Sequence, residues 1–183
     1  DFEEASIGAM EVAGIPAPLD STSNNGYFLP GDILPGIQFH TNTTHNNDEL
    51  ALLGPGYAGS PSKLIVANYF TDAFYVVLSP GVHAIGFDVH SFMGGGMAGI
   101  EVYDPDGFVL GTYDWAAGPA GTFWGAISDS EPIGSVRIFD AGGGAEGVDN
   151  VAFGEAAIPE PATLGLSGMA LLALAFLRRR LRN

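Results

Sequence analysis

The stretch VHAIGFDVHSF, residues 82–92, decides how the chain is read. Ile85, Phe87 and Val89 fall on one side of an extended backbone, Asp88 and His90 on the other. Successive side chains of a strand point to opposite faces, so this alternation marks a strand half-buried in a sheet. The same period recurs along the chain. FYVVLS (74–79) sets Phe74, Val76 and Leu78 on one face, and GSVRIFD (134–140) sets Val136 and Ile138 against Arg137. Further strand-like runs are GIQFHT (36–41), KLIVANYF (63–70), GIEVYD (99–104), VLGTYD (109–114), TFWGAI (122–127) and VDNVAFG (148–154).

Turn chemistry separates these runs. SPG (79–81) parts two of them, and DPDG (104–107) places Pro and Gly where a type I turn wants them. AAGPAG (116–121) and DAGGGAEG (140–147) are glycine-rich connections. Upstream of the C-terminal tail only ELALL (49–53) hints at a helix. Residues 8–36, rich in Pro, Gly, Ser and Asn, predict a long loop crossing one end. Many short strands at this spacing predict an all-β fold, an antiparallel β-sandwich of jelly-roll topology.

Composition narrows the function classes. With 46% hydrophobic and 15% charged residues among 183, the chain is too apolar to be disordered. Four of its six basic residues, Arg178, Arg179, Arg180 and Arg182, lie at the extreme C-terminus. Residues 1–157 hold 20 acids against Lys63 and Arg137 alone, a formal charge of −18. Such a body repels nucleic acid and suits hard cations. Cysteine is absent, which removes disulfides, thiolate metal sites and a cysteine nucleophile. The first residue is Asp1, which predicts a mature N-terminus from which a signal peptide has been removed.

The tail reads IPEPATLGLSGMALLALAFLRRRLRN, residues 158–183. Its apolar run, Ala162 to Leu177, is 16 residues and as a helix spans roughly 24 Å, short of a ~30 Å hydrocarbon core. Snorkelling arginines can close that gap. Basic residues stay cytoplasmic, so the body would lie across the inner membrane. Pro159, Glu160 and Pro161, then the short hydrophobic helix, then the arginine cluster, resemble the PEP-CTERM sorting signal of Gram-negative bacteria. The resemblance implies export, transient membrane anchoring, processing by exosortase and delivery to the cell surface or extracellular matrix. It also implies a producer of exopolysaccharide or biofilm. The body resembles the secreted β-sandwiches that carry this tail, through VHAIGFDVHSF, FWGAISDSEPIGSVRIF and GVDNVAFG. Two parts are expected: an acidic sandwich over 1–157 and a sorting tail over 158–183.

Three groups of residues could carry chemistry. Asp149 is in phase with Val151 and Phe153, so a carboxylate on their face needs a partner. Calcium shared with Glu3 or Glu4 would supply one if the first and last strands lie side by side; the alternative is an Asp capping turn amides. Tyr103, Tyr113, Trp115 and Trp124 cluster in sequence, and alternation turns Tyr103 and Trp124 outward. Exposed rings of this kind stack on sugars; the alternative is ordinary core packing. His40, His45, His83 and His90 show no metal-ligand spacing and are expected at the surface or as caps. No GxSxG is present, and Asp104 and Asp106 sit in a turn signature, so no catalytic residue is expected. The sequence predicts a structural or interaction role in the matrix, with a carbohydrate-binding module as the alternative and a hydrolase behind it.

If the tail is a removable address, deleting residues 158–183 leaves a folded, soluble but mislocalised body. Circular dichroism checks this, and loss of the β signal on truncation would place the tail in the core.

Overall fold

The computed structural model describes residues 1–42, 49–69, 72–92, 95–142 and 144–155. The alternating segments form eleven strands there: β1 (Val12–Pro16), β2 (Ile37–Thr41), β3 (Glu49–Leu53), β4 (Leu64–Ala67), β5 (Phe74–Leu78), β6 (Ala84–Ser91), β7 (Gly96–Tyr103), β8 (Val109–Ala117), β9 (Thr122–Ile127), β10 (Ser135–Gly142) and β11 (Ala145–Gly154). They make two antiparallel sheets, one ordered β1-β3-β4-β11-β6-β9 and the other β2-β5-β10-β7-β8. The fold is the expected all-β, jelly-roll-like sandwich. The expected C-terminal helix lies outside the described residues. Among the described residues no helix is long and apolar enough to cross a membrane.

ELALL is strand β3, not a helix. Leu50 and Leu52 face the main core, while Ala51 and Leu53 join Leu64 and Val66 in a second small cluster, with Phe92 packed against it. A strand buried on both faces loses its alternation, which is why it resembles a helical turn in sequence. The first and last strands do not lie side by side. β1 pairs with β3, and β11 sits between β4 and β6.

Aromatic rings knit the core across both sheets. Phe2 inserts edge-on, 5.4 Å from Phe39, which stacks 5.8 Å from Phe74. Trp124 is register partner to the inward-facing Phe87 and so points inward as well. It is 3% exposed, with ring centroids 5.0 Å from Phe87 and 5.7 Å from Tyr113. The alternation in TFWGAI was right in period and inverted in phase. Phe123 is the residue that faces out, and its ring lies over Gly86, where a Cβ would meet it at 2.6 Å.

A bulge changes the phase of β11. Asp149 pairs with Asp88, but the next pair is Ala152 with Gly86, so one residue is extra. Asn150 takes a left-handed φ of 51° to accommodate it. Asp149 therefore shares the outer face with Asp88, while Val148 before the bulge and Phe153 after it point inward. Simple alternation across the bulge put Asp149 on the wrong side.

Trp124→Ala should cost about 3–5 kcal/mol, the range for emptying a large aromatic site. Chemical denaturation measures it, and a near-neutral result would mean that the ring is not part of the core.

Candidate functional site

The outer face of the five-stranded sheet brings polar and aromatic side chains together. Register places His40, Tyr75, Arg137, Glu101 and Thr112 in one row across β2, β5, β10, β7 and β8. Their neighbours in sequence supply the core, so this row is the other half of the alternation that builds the sandwich. Tyr103 lies on the same face, opposite Ser135.

Arg137 is the centre of the row and is fixed from two directions. Its guanidinium lies 4.4 Å over the Phe139 ring, and its Nη1 donates to Glu101 Oε2 at 2.8 Å. The Phe139 ring in turn lies on Gly99, where any Cβ would come within 2.2 Å of it. Glycine is required there for the ring to lie flat. The Tyr103 hydroxyl donates to the same Glu101 oxygen. That bond, with the one from Arg137, holds the Glu101 carboxyl below its usual range. The same bond pushes the Tyr103 hydroxyl up. The result is an ionised carboxylate held by a guanidinium and the Tyr103 hydroxyl on an open sheet, with Tyr75 next to Arg137 in the row. Such a surface can hydrogen-bond hydroxyls and stack on flat apolar rings, and the pinned carboxylate is badly placed to give or take a proton.

Of the aromatics singled out from sequence, only Tyr103 belongs to this face. Trp115 is register partner to the buried Ala98, so it points inward and packs half-buried against the core. Trp124 is core outright. Tyr75, Arg137 and Phe139 were readable from the alternation of FYVVLS and GSVRIFD, as the residues between the core positions. His90 is 2% exposed, with Nδ1 3.0 Å from the Pro119 carbonyl, and is not a surface residue. His83 is half-buried and meets the Ser128 carbonyl through Nδ1, while His40 contacts Gln38. His45, the sorting residues Pro159, Glu160 and Pro161, and the arginines Arg178, Arg179, Arg180 and Arg182 lie outside the described residues.

Glu3, Glu4 and Asp149 are not brought together as a ligand set. Glu3 Oε1 accepts the Lys63 backbone N–H at 3.1 Å, and the Lys63 ammonium stands 3.5 Å from Glu3 Oε2. Glu4 lines a hollow with Phe2, Asp32, Val151 and Phe153. Asp149 Oδ1 accepts the Asn150 N–H at 2.6 Å, and its buried Oδ2 has no hydrogen-bond partner among the described residues. Asn150 Nδ2 donates to Asp88 Oδ2 at 2.8 Å. Among the described residues no group of three acid or histidine side chains is placed to hold a metal ion.

One buried acid had no signal in sequence. Glu146, at the irregular start of β11, is fully buried, and both its carboxylate oxygens lack a hydrogen-bond partner among the described residues. Burial, then the negative charges of Asp140 and Asp72, push its pKa up to about 9. It is protonated at neutral pH.

Comparison with known proteins adds a family for the tail. The family model of the PEP-CTERM protein-sorting motif matches residues 157–180. The chain carries a PEP-CTERM protein-sorting motif. It is the motif of an exported, surface-sorted protein, and it implies processing by exosortase. No curated protein matches the chain. Solved structures similar to the body include TmCBM61 in complex with β-1,4-galactotriose, at 13% identity and TM-score 0.38, covering 64% of this chain and 88% of that one. A variant of the family 29 carbohydrate-binding module CBM29-2, complexed with cellulohexaose, has 14% identity, TM-score 0.40, and coverage of 79% and 92%. The family 11 carbohydrate-binding module of Clostridium thermocellum, in complex with a β-1,3-1,4-mixed-linked tetrasaccharide, has 10% identity, TM-score 0.30, and coverage of 80% and 88%.

Glu146 makes stability depend on pH. Its folded pKa lies above the unfolded value of 4.5, so the folded state resists ionisation. The contribution of Glu146 is whole below pH 4.5 and is lost as pH rises towards 9. At pH 7 the loss is about 3 kcal/mol, at 1.36 kcal/mol per pH unit. Glu146→Gln mimics the protonated acid, so it should flatten this slope and leave the variant the more stable form at pH 8. Urea melts across pH 5–9 check it, and parallel slopes for both proteins would refute the assignment.

Proposed function

We propose that the protein is a non-catalytic component of the extracellular matrix of a Gram-negative bacterium, whose body binds neutral polysaccharide. In this reading the tail anchors the chain transiently in the inner membrane until exosortase acts. The observation that carries the polysaccharide reading is the Tyr75–Arg137–Glu101–Tyr103 array on the open five-stranded sheet. Sugar rings present apolar faces to aromatic rings and hydroxyls to charged hydrogen-bonding groups, and the array offers both. The body's formal charge of −18 argues for a neutral polymer over a uronic acid-rich one, and against nucleic acid. A purely structural role, with the face acting as a protein contact, is the second reading, supported by the same rigid array. Calcium forms no part of either reading, because Glu3, Glu4 and Asp149 do not converge.

The test is calorimetric titration of the purified protein with the producer's polysaccharide and with neutral glucans and galactans. Tyr75→Ala and Tyr103→Ala should each weaken binding by ~1 kcal/mol, the scale of an aromatic contact, with little change in melting temperature. Unchanged affinity on loss of both rings would sink the glycan reading in favour of the structural one.

A further inference from the structure

Two edge strands form one side wall of the sandwich. β8 ends the five-stranded sheet, β9 ends the six-stranded sheet, and the Tyr113–Trp124 contact joins them. The wall is conspicuously poor in charge for so acidic a body. Residues 107–128 carry a single charged side chain, Asp114. They expose Phe108, Leu110 and Tyr113 instead, with Val109 on one outer face beside the wall and Phe123 and Ile127 on the other. Edge strands are normally guarded by lysines, prolines or bulges. β8 has one bulge near its start, where the register shifts between Val102 and Tyr103, and is regular from Gly111 to Ala117. Its outward N–H and C=O groups have no strand beside them among the described residues.

We propose that this wall is where a second copy of the chain docks, with β8 of one copy pairing antiparallel to β8 of the other about a two-fold axis. The pairing would extend the five-stranded sheet across both copies. Charge selects the occupant. Two bodies of −18 repel wherever acids face each other, and residues 107–128 bring only Asp114 to such a contact. Register follows from the same argument. Centred on Asp114, the pairing would oppose two carboxylates; centred on Tyr113, it sets Asp114 against Thr112 and Gly111 against Trp115. The size is sufficient. Nine residues at 3.4 Å make a wall about 30 Å long, and two sheets ~10 Å apart with their side chains make it about 20 Å high. That is roughly 600 Å² per copy and about 1,200 Å² in all, the lower bound for a specific interface. The contact borders the polysaccharide face at Val109, the register partner of Tyr103, but does not depend on that reading.

Sedimentation of the full-length chain, kept dispersed in mild detergent, tests the proposal from micromolar to millimolar concentration and in low and high salt. A monomer–dimer equilibrium is expected, and salt should strengthen it by screening the two acidic bodies. Val109→Asp and Ile127→Asp, at side chains 57% and 71% exposed on different sheets, should each abolish the dimer with the circular dichroism spectrum unchanged. Leu34→Asp, 63% exposed on the loop before β2, should leave it intact. A monomer at every concentration and salt overturns the proposal. So does a self-association that survives both wall variants, which would assign it to the apolar run 162–177.

Discussion

Both sheets are completed at their interiors by the last two strands of the body. β10 runs between β5 and β7 in one sheet, and β11 runs between β4 and β6 in the other. They are consecutive, joined by a short glycine-rich turn, so one hairpin-like segment crosses from sheet to sheet and bolts them together. Val136, Ile138 and Val148, three inward residues of this segment, are wholly buried. β5 meets β7, and β4 meets β6, only through this segment, which makes closure a long-range event in sequence. β11 ends at Gly154 and the matched sorting motif begins at residue 157, directly after the last strand.

The two outer faces then diverge. On the five-stranded sheet, Arg137 is one of only two cations in the body, and it is locked by Phe139 and Glu101 into an ordered, solvent-facing array. On the six-stranded sheet, the outer face is partly roofed. His90 lies under the Gly118–Gly121 turn, and Leu64 and Val66 are packed beneath Phe92. Burial there reaches Asp149 and Glu146 as well, with the cost that Glu146 keeps its proton at neutral pH. A sheet roofed in this way serves stability, while the bare one is free to serve recognition.

Bulges and glycines do the adjusting between these roles. The extra residue at Asn150 turns Asp149 away from the core. Gly99 lets Phe139 lie flat beneath Arg137, and Gly86 does the same for Phe123 on the opposite face. The many glycines of this chain are therefore partly landing sites for aromatic rings and not only turn residues.

Period-two alternation in VHAIGFDVHSF, FYVVLS and GSVRIFD was enough to predict a sandwich, because one buried face and one wet face leave that mark in any strand. The tail was legible too, since a PEP triplet, an apolar run and a basic cluster are contiguous and need no fold to be recognised. Phase and partnership were not legible. Whether Trp124 or Phe123 faces the core depends on which residue of β6 lies opposite, and the side of Asp149 depends on one extra residue in β11. ELALL hid its strand because both its faces are buried. Glu146 and the Arg137 array join residues from different strands. Periodicity is a property of one strand and survives in sequence; register belongs to two, and only packing of the whole chain decides it.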